Sequence, residues 1–321
     1  MKALNLRARK GLLALAGFIG VVALVGLSIG QEEKWWPSRY GADDEQGALN
    51  EITPTKVKEA AALIKEGKAY HLSMVLREGV PAFAPRTFSM HMPYHSVVGY
   101  LGANKLQWSE EVVFGWLGSF SQLDCLGHIG LNDRWYNGRP WRDIFTPTGL
   151  KMNSCDKLKP IVTRGVLLDI AGLKGVDVLQ PDNYVITVAD IEAAIKRQGN
   201  IRIGPGDVVL LHTGWMKVLD KDPKRWISSE PGIYMDAAKW FVQRRIAVPG
   251  ADTRGIDAVP GPEGTAFAPH QELITKNGIM LFENAVTEEL VRDKAYEFMI
   301  VLSILRVKGS GQTWATAVAI R

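Results

Sequence analysis

Cysteine and histidine are scarce in this sequence of 321 residues, which contains two cysteines and six histidines. Two cysteines do not make a disulfide framework, and no zinc-finger spacing is present. The sequence also has no Walker loop, no Gly-x-Gly-x-x-Gly after a strand, no Gly-x-Ser-x-Gly elbow and no His-Glu-x-x-His. These absences exclude several large classes of enzyme, since each of those motifs supplies the chemistry of its class.

Basic and acidic residues balance over most of the chain, which therefore lacks a surplus of charge of either sign. Lysine and arginine number 38 and aspartate and glutamate 34, and four of the basic residues lie within the first ten positions. The rest of the chain therefore has 34 residues of each sign. It shows no basic stripe and no interleaved basic and aromatic residues, so the sequence predicts no nucleic-acid partner.

The first thirty residues form a separate segment. Four basic residues within positions 2–10 precede an uncharged run at 11–30, rich in Leu, Val, Ala and Gly, in which Ser28 and Gly30 supply small residues before a cleavage point. This pattern is typical of a secretory signal peptide. The run is also nearly long enough to span a bilayer, so an inner-membrane anchor is the alternative. We expect an exported protein, periplasmic or secreted, that has a membrane partner only if this segment is retained.

Residues 31–321 contain strand and helix patterns without an internal repeat or a break in composition. Short apolar runs that predict strands lie at 70–76, 165–170, 208–212, 247–252, 279–282, 297–305 and 314–320. Apolar spacing and capping residues predict helices at 53–67, 187–198 and 235–245. Because strands outnumber helices and several helices lie between strands, we predict one mixed α/β domain over 31–321.

Asp124 and His128 stand four residues apart in the segment Ser-Gln-Leu-Asp-Cys-Leu-Gly-His at 121–128. A carboxylate and an imidazole can bind a divalent metal through oxygen and nitrogen, or act as an acid/base pair. The same residues also fit a turn-capping aspartate and a core histidine. Their spacing alone therefore leaves a structural role open.

His270 and Glu283 form a second pair. Glu283 directly follows the apolar run 279–282, and His270 precedes a short helix predicted at 271–276. A carboxylate in this position needs a partner, because an unpaired charge is costly to bury. A metal ion or a histidine would supply that partner, and a purely structural pairing is the alternative.

Cys125 lies between Asp124 and His128, and the second cysteine is Cys155. The two can pair in an oxidising compartment. The sequence favours Cys125 as a small buried residue beside the site. A nucleophilic thiol is a weaker hypothesis, because no sequence feature supplies it with a base.

Six segments taken together resemble the cyclase family of metal-dependent hydrolases, which includes the bacterial arylformamidases (kynurenine formamidases) and isatin hydrolase. They run in the family's order and cover nearly all of 31–321, although each is a weak signal alone. The segments are 36–50, 53–54 with its helix, 121–128, 206–215, 250–257, and His270 with Phe282, Glu283 and Asn284.

The family's signature, His-x-Gly-Thr-His-x-Asp-x-Pro-x-His, falls on residues 118–128. Asp124 and His128 match its aspartate and its last histidine. Gly118 and Gln122 stand where the first and second histidines are expected. The chain thus resembles a divergent subgroup in which two of the usual metal-binding histidines are replaced.

The resemblance implies a β-rich α/β domain of the swivelling β/β/α type, usually found as a homodimer. It also implies one divalent metal ion, Zn, Mn or Mg, bound by Asp124, His270 and Glu283, with Gln122 as a weak oxygen donor. An oxygen-rich donor set of this kind suits a single ion better than a histidine-rich two-zinc site. His128 takes the role of general base near the metal.

The function implied is hydrolysis of an amide, a cyclic amide or a lactone, with an arylformamidase-like carbon–nitrogen bond as the first expectation. The metal would polarise the carbonyl and lower the pKa of a bound water, and a histidine would take the proton. The substrate is expected to be a small aromatic or cyclic molecule. Candidate substrate-binding residues are His91, His95, Trp108 and His212.

Two other hypotheses remain open from the sequence. The replaced histidines are also compatible with a small-molecule binding protein that keeps the fold without hydrolysis. A lyase or cyclase that uses the same pocket is the third hypothesis.

Overall fold

The computed structural model describes residues 34–93 and 99–321, within which Trp35–Arg321 forms a compact unit. The predicted signal segment and His95 lie outside the described residues. Within the described ranges, no helix is both long enough and apolar enough to cross a membrane.

The strands carry most of the architecture. In chain order they are β1 (Ala69–His71), β2 (Phe88–His91), β3 (Val112–Gly115), β4 (Gln122–Asp124), β5 (Arg134–Trp135), β6 (Arg139–Pro140), β7 (Phe145–Thr146), β8 (Gly149–Leu150), β9 (Ile161–Asp169), β10 (Val185–Ile186), β11 (Val208–His212), β12 (Gly232–Ile233), β13 (Val248–Ala251), β14 (Leu281–Glu283), β15 (Glu297–Ile304) and β16 (Gln312–Ile320).

The helices connect and flank these strands. They are α1 (Pro54–Ala61), α2 (Trp141–Ile144), α3 (Ile170–Lys174), α4 (Val188–Arg197), α5 (Met216–Leu219), α6 (Pro223–Ser228), α7 (Met235–Gln243), α8 (Ala268–His270) and α9 (Glu288–Arg292). A π-helix at Gln271–Lys276 continues directly from α8. Short 3-10 helices lie at Gly47–Glu51, Tyr136–Gly138, Cys155–Lys157 and Pro262–Gly264.

Seven strands of the described chain close into a barrel in the order β16-β15-β9-β11-β13-β14-β4, and β4 pairs back to β16. Strands β9, β11, β13 and β14 run parallel, and β15 and β4 are antiparallel to their neighbours. The far end of β16 also pairs with β1. The predicted mixed α/β domain is confirmed.

The parallel strands are apolar on both faces, which is the pattern expected when both faces are covered. In β11, Val208 and Leu210 pack into one buried cluster with residues of β15 and β16. Val209 and Leu211 point the other way and pack with apolar residues of α4 and α7. This double burial explains why a continuous apolar run, rather than an alternating one, marks this strand.

The predicted helices are present, with one shortened. Helix α4 begins with the predicted capping box, in which Thr187 and Asp190 exchange hydrogen bonds. Helix α1 ends at Ala61 rather than near Gly67. Beyond the helix, the backbone N–H groups of Glu66 and Lys68 both donate to the carbonyl of Arg321.

Cys125 and Cys155 form a disulfide, with their Cα atoms 5.6 Å apart. The sequence left this pairing open and favoured Cys125 as a small buried residue beside the site, and Cys125 is buried. Both cysteines bond to the chain directly before β16. The backbone N–H of Cys125 donates to the carbonyl of Gly311, and that of Cys155 donates to the carbonyl of Ser310. Two adjacent carbonyls therefore hold two segments that are distant in sequence.

Candidate metal centre

The candidate centre lies where β4 meets β14. These strands are antiparallel, with Gln122 opposite Glu283 and Asp124 opposite Leu281. Because side chains two residues apart in a strand share a face, Gln122 and Asp124 point to the same side of β4. All three polar side chains of this pairing are buried.

His270 brings nitrogen to the two carboxylates. Its Nε2 lies 3.0 Å from Oε1 of Glu283 and 3.5 Å from Oδ2 of Asp124. One ligand atom from each of the three side chains lies within 4.8 Å of the other two. The structure thus brings together three of the four predicted ligands in a geometry that can hold a metal ion.

The helical segment carrying His270 is tied to the loop after His128. Thr275 Oγ1 donates to the carbonyl of Ile129, and Gln271 Nε2 donates to the carbonyl of Gly130. These bonds fix the junction of α8 and the π-helix, where His270 stands, against the chain that leaves β4. A π-helical turn is uncommon and often marks a functional position.

Asp257 orients the imidazole of His270. Its Oδ2 lies 2.5 Å from Nδ1, on the far side of the ring from the two carboxylates. An Nδ1–H that donates to Asp257 turns Nε2 toward the two carboxylates, and a carboxylate behind the ring is the arrangement seen for metal-bound histidines. The sequence does not indicate that Asp257, in the segment 250–257, takes part in the centre, because nothing local shows that this segment reaches residue 270.

Gln122, the fourth predicted ligand, lies inside the cluster. Its Nε2 donates to Oε2 of Glu283 at 2.7 Å and to Oδ1 of Asp124 at 3.2 Å. Its Oε1 is buried without a hydrogen-bond partner among the described residues. The side-chain amide therefore bridges the two carboxylates, and its role as a ligand stays a prediction.

The protonation of the cluster follows from burial and close charges. Burial opposes ionisation of Asp124, but the His128 and His270 imidazoles outweigh it and lower its pKa to about 2. Burial, together with the charge of Asp124, raises the pKa of Glu283 to about 7. Burial works against a charged His270, yet Asp257 and the two carboxylates raise its pKa well above the usual range.

The donor set fits a divalent cation. Oδ2 of Asp124 is fully buried and has no hydrogen-bond partner in the described chain, although it faces the Nε2 of His270. Two buried carboxylates share one imidazole, so the cluster has an excess of acceptors. A cation between these atoms would satisfy the unpartnered oxygen and offset the charge, and carboxylate oxygen with imidazole nitrogen suits Zn, Mn or Mg.

Gln312 fills the space beside Gly118, where the family signature has its first histidine. A Cβ added to Gly118 would lie 2.0 Å from Oε1 of Gln312. The Nε2 of Gln312 donates to Oδ1 of Asp124 at 3.0 Å. No signal in the sequence indicates Gln312, because it comes from β16 and reaches the centre only through the pairing of β16 with β4.

His128 stands at the edge of the centre. Its Nε2 lies 3.6 Å from Oδ2 of Asp124 and 3.3 Å from Nε2 of Gln312, and its side chain is 22% exposed. Burial lowers the pKa of His128, which favours the neutral imidazole that a general base requires. The role of His128 as general base stays a prediction.

Of the predicted substrate-binding residues, His91, Trp108 and His212 are described by the structure, and their recorded contacts lie outside this cluster. His91 is exposed at the end of β2, near Ser89 and Phe114. Trp108 is 43% exposed in the connection between β2 and β3. His212 is buried, with Nδ1 at 2.8 Å from Oγ1 of Thr287 and 3.3 Å from Asp252, and these contacts hold the end of β11 in place.

The fold and the centre define the class: a closed mixed barrel flanked by helices, with a buried acidic site that fits one metal ion. Residues 70–258 match the Cyclase family model, described as "Putative cyclase". The chain belongs to this family, and the resemblance drawn from the sequence is confirmed.

Solved structures agree with the assignment. One described as a novel cyclase has 29% sequence identity and a TM-score of 0.80, over 88% of this chain and 98% of that chain. Isatin hydrolase A from Ralstonia solanacearum has 18% identity and a TM-score of 0.61, over 84% and 99%. A predicted metal-dependent hydrolase from Bacillus stearothermophilus has 16% identity and a TM-score of 0.51, over 78% and 97%.

The last two structures show that the fold is shared. A comparison with curated proteins gives no match.

Proposed function

We propose that the protein is a metal-dependent hydrolase of a small amide, cyclic amide or lactone, with an arylformamidase-like carbon–nitrogen bond as its first candidate. The observation that carries the proposal is the buried convergence of Asp124, His270 and Glu283, with one carboxylate oxygen left without a partner. Such an arrangement is costly to the fold without a cation, so it indicates a functional site.

Asp124, His270 and Glu283 would hold the ion, with Gln122 within the same cluster. When bound, a divalent ion supplies Lewis acidity that polarises a carbonyl and acidifies water. The Nε2 of His128, at the exposed edge of the centre, accepts the proton released as the nucleophile attacks. Asp257 keeps the His270 ring fixed, and Gln312 fixes Oδ1 of Asp124 on the side facing His128.

The substrate class rests on the fold relatives and on the aromatic surroundings of the centre. Three solved structures with this fold are isatin hydrolases, which act on a small cyclic amide. In this chain the ring of Phe267 packs 5.1 Å from His270, and Phe83 lies 6.3 Å beyond it. Aromatic side chains next to the centre suit a planar ring.

Export is proposed together with this function. The disulfide between Cys125 and Cys155 supports an oxidising compartment, in agreement with the signal segment at 1–30. A homodimer is proposed as well, supported by exposed apolar side chains on β2, β3 and their connection: Met90, Met92, Tyr100, Leu101, Leu106, Trp108, Val112, Val113, Phe114 and Trp116. Size-exclusion chromatography with light scattering tests the dimer.

The test of function is metal analysis combined with a substrate panel. Purified protein should retain one divalent ion per chain and hydrolyse an N-formyl aryl amide, an isatin-type ring or a lactone, and chelation should abolish turnover. Asp124→Ala should lose the ion, whereas Asp236→Ala, at an exposed aspartate, should keep it. Full activity without metal would contradict the mechanism.

The same experiment separates the other hypotheses. Ligand-induced thermal stabilisation without turnover or metal would favour a binding protein. Product formed without incorporation of labelled oxygen from water would favour a lyase or cyclase.

A further inference from the structure

A cavity adjoins the metal centre on the side of Glu283. It encloses about 330 Å³ of empty space, counting its mouth to solvent. Asn284, which directly follows Glu283, forms part of its wall, and so does Gly118, which packs against Gln312 of the centre. Six of its lining residues are Phe83, Arg86, Gly118, Phe120, Arg254 and Asn284.

Arg254 places a buried guanidinium in this wall. Its side chain is 5% exposed, with Nε 3.4 Å from Oε2 of Glu230. Its Nη2 donates to the carbonyl of Ser229 at 3.2 Å, and the group lies over the ring of Phe83, 4.5 Å from the centroid. Of the three nitrogens, only Nη2 donates a hydrogen bond among the residues described, and the contact of Nε with Glu230 is an ion pair without a hydrogen bond. Nη1 is buried and has no acceptor among the residues described.

Asn284 supplies a buried acceptor that has no donor among the residues described. Its Nδ2 donates to the carbonyl of Phe120 at 2.7 Å, which fixes the orientation of the amide. Its backbone is held by Thr253 and Ser121. The Oδ1 is buried and accepts no hydrogen bond within the described part of the chain. A rigid acceptor and an unsatisfied cationic donor therefore line the same cavity, and buried polar groups of this kind call for partners.

Carboxylate is the ligand chemistry that this donor matches. A guanidinium forms strong charge-assisted hydrogen bonds with carboxylate oxygens, and it is less strongly hydrated than an ammonium, so it tolerates burial. Arg86 adds a second guanidinium to the wall, where it donates to the carbonyl of Gly118. Oδ1 of Asn284 would accept from an N–H next to the carboxylate.

We propose that this cavity is an anion subsite of the active centre, in which Arg254 binds a carboxylate of the substrate and Asn284 accepts from a neighbouring N–H. The inference rests on the proposed hydrolase and narrows its substrate to carboxylate-bearing amides, such as an amide ortho to a benzoate carboxylate. Methyl esters of the same compounds would be poor substrates.

Binding is measured first and without turnover. Isothermal titration compares anthranilate with methyl anthranilate on the metal-loaded protein and on the chelated protein, where no metal can contact the carboxylate. We expect anthranilate to bind at least about tenfold more tightly than the ester in both forms, a difference of ~1.4 kcal/mol. Equal binding of acid and ester to the chelated protein would overturn the subsite.

The variants are chosen so that no unpaired ion is buried. Arg254→Met combined with Glu230→Gln removes both charges of the pair, and we expect it to bind acid and ester equally. Arg244→Met combined with Glu192→Gln is the matched control, because Arg244 also lies over an aromatic ring and pairs with a glutamate, but at the surface. The control should keep the tenfold preference; loss of the preference in the control alone would overturn the assignment.

Turnover separates this inference from the proposed function. N-formylanthranilate and its methyl ester are compared by kcat/KM in the wild type and in both double variants. Hydrolysis of acid and ester at equal rates would overturn the subsite and leave the hydrolase intact. Selective binding of anthranilate that depends on Arg254, without hydrolysis of either compound, would support the subsite and contradict hydrolysis of this substrate class.

Discussion

Asp257 Oδ2 lies 2.5 Å from Nδ1 of His270, and the opposite nitrogen of the same ring faces Glu283 at 3.0 Å. The imidazole therefore contacts Asp257 through Nδ1 and the carboxylates of Asp124 and Glu283 through Nε2. In metal sites, a carboxylate bonded to the outer nitrogen of a histidine fixes its tautomer and raises the basicity of the nitrogen that binds the metal. The first prediction depends on this contact.

Asp257→Asn should weaken metal binding without removing a ligand. The amide keeps the size of the side chain but no longer stabilises the donating Nδ1–H, and losses of about 10- to 100-fold in affinity are typical for such partners. Competition with a fluorescent chelator measures the dissociation constant. Asp236→Asn, at an exposed aspartate, serves as the control and should leave the affinity unchanged. An unchanged affinity in Asp257→Asn would contradict the role of Asp257 in orienting His270.

Gly118 and Gln312 should be energetically coupled. A Cβ at residue 118 would lie 2.0 Å from Oε1 of Gln312, at the end of a flexible side chain, so Gly118→Ala should displace that amide from Asp124 and cost about 1 kcal/mol of unfolding free energy through the lost hydrogen bond. Gln312→Ala should relieve that cost in the double variant. Urea unfolding of the four proteins gives the coupling energy. Additive effects of the two substitutions would show that the two positions do not compete for space.

Metal should stabilise the folded protein. An ion that binds only the native state adds about 2.7 kcal/mol at a free concentration one hundredfold above its dissociation constant. Thermal unfolding with and without chelator should therefore show a higher midpoint for the loaded protein. The midpoint of Asp124→Ala should not respond to metal, because the substitution removes one of the three converging ligands. A metal response of that variant equal to the wild type would place the ion elsewhere.

The disulfide should contribute to stability. A cross-link that closes a loop of 30 residues restricts the unfolded chain, and about 2–4 kcal/mol is the usual range. Cys125→Ala with Cys155→Ala should lower the unfolding free energy by that amount, measured by urea denaturation. The reduced wild type should match the double variant. If reduction has no effect on the wild type, the two cysteines are not paired in solution.

Much of the fold was predictable because its signals are local. The apolar runs at 208–212 and 279–282 and the capping box at Thr187 depend on neighbours in sequence, and each corresponds to an observed element. Helix α1 ends earlier than predicted, and the segment that follows it bonds to Arg321 through the backbone N–H groups of Glu66 and Lys68. A contact between residues so far apart in sequence cannot be inferred from local periodicity.

The sequence by itself determined the residue types of the centre, since Asp124, His128, His270 and Glu283 stand in the order of the family's pattern. Only the tertiary structure decided how they meet. The antiparallel register of β4 with β14 places the two carboxylates, and the pairing of β4 with β16 brings in Gln312 where a histidine is replaced. Hydrogen bonding between segments distant in sequence sets these positions. The contacts of Gln312, of Asp257 and of the Cys125–Cys155 pair are therefore known only from the tertiary structure.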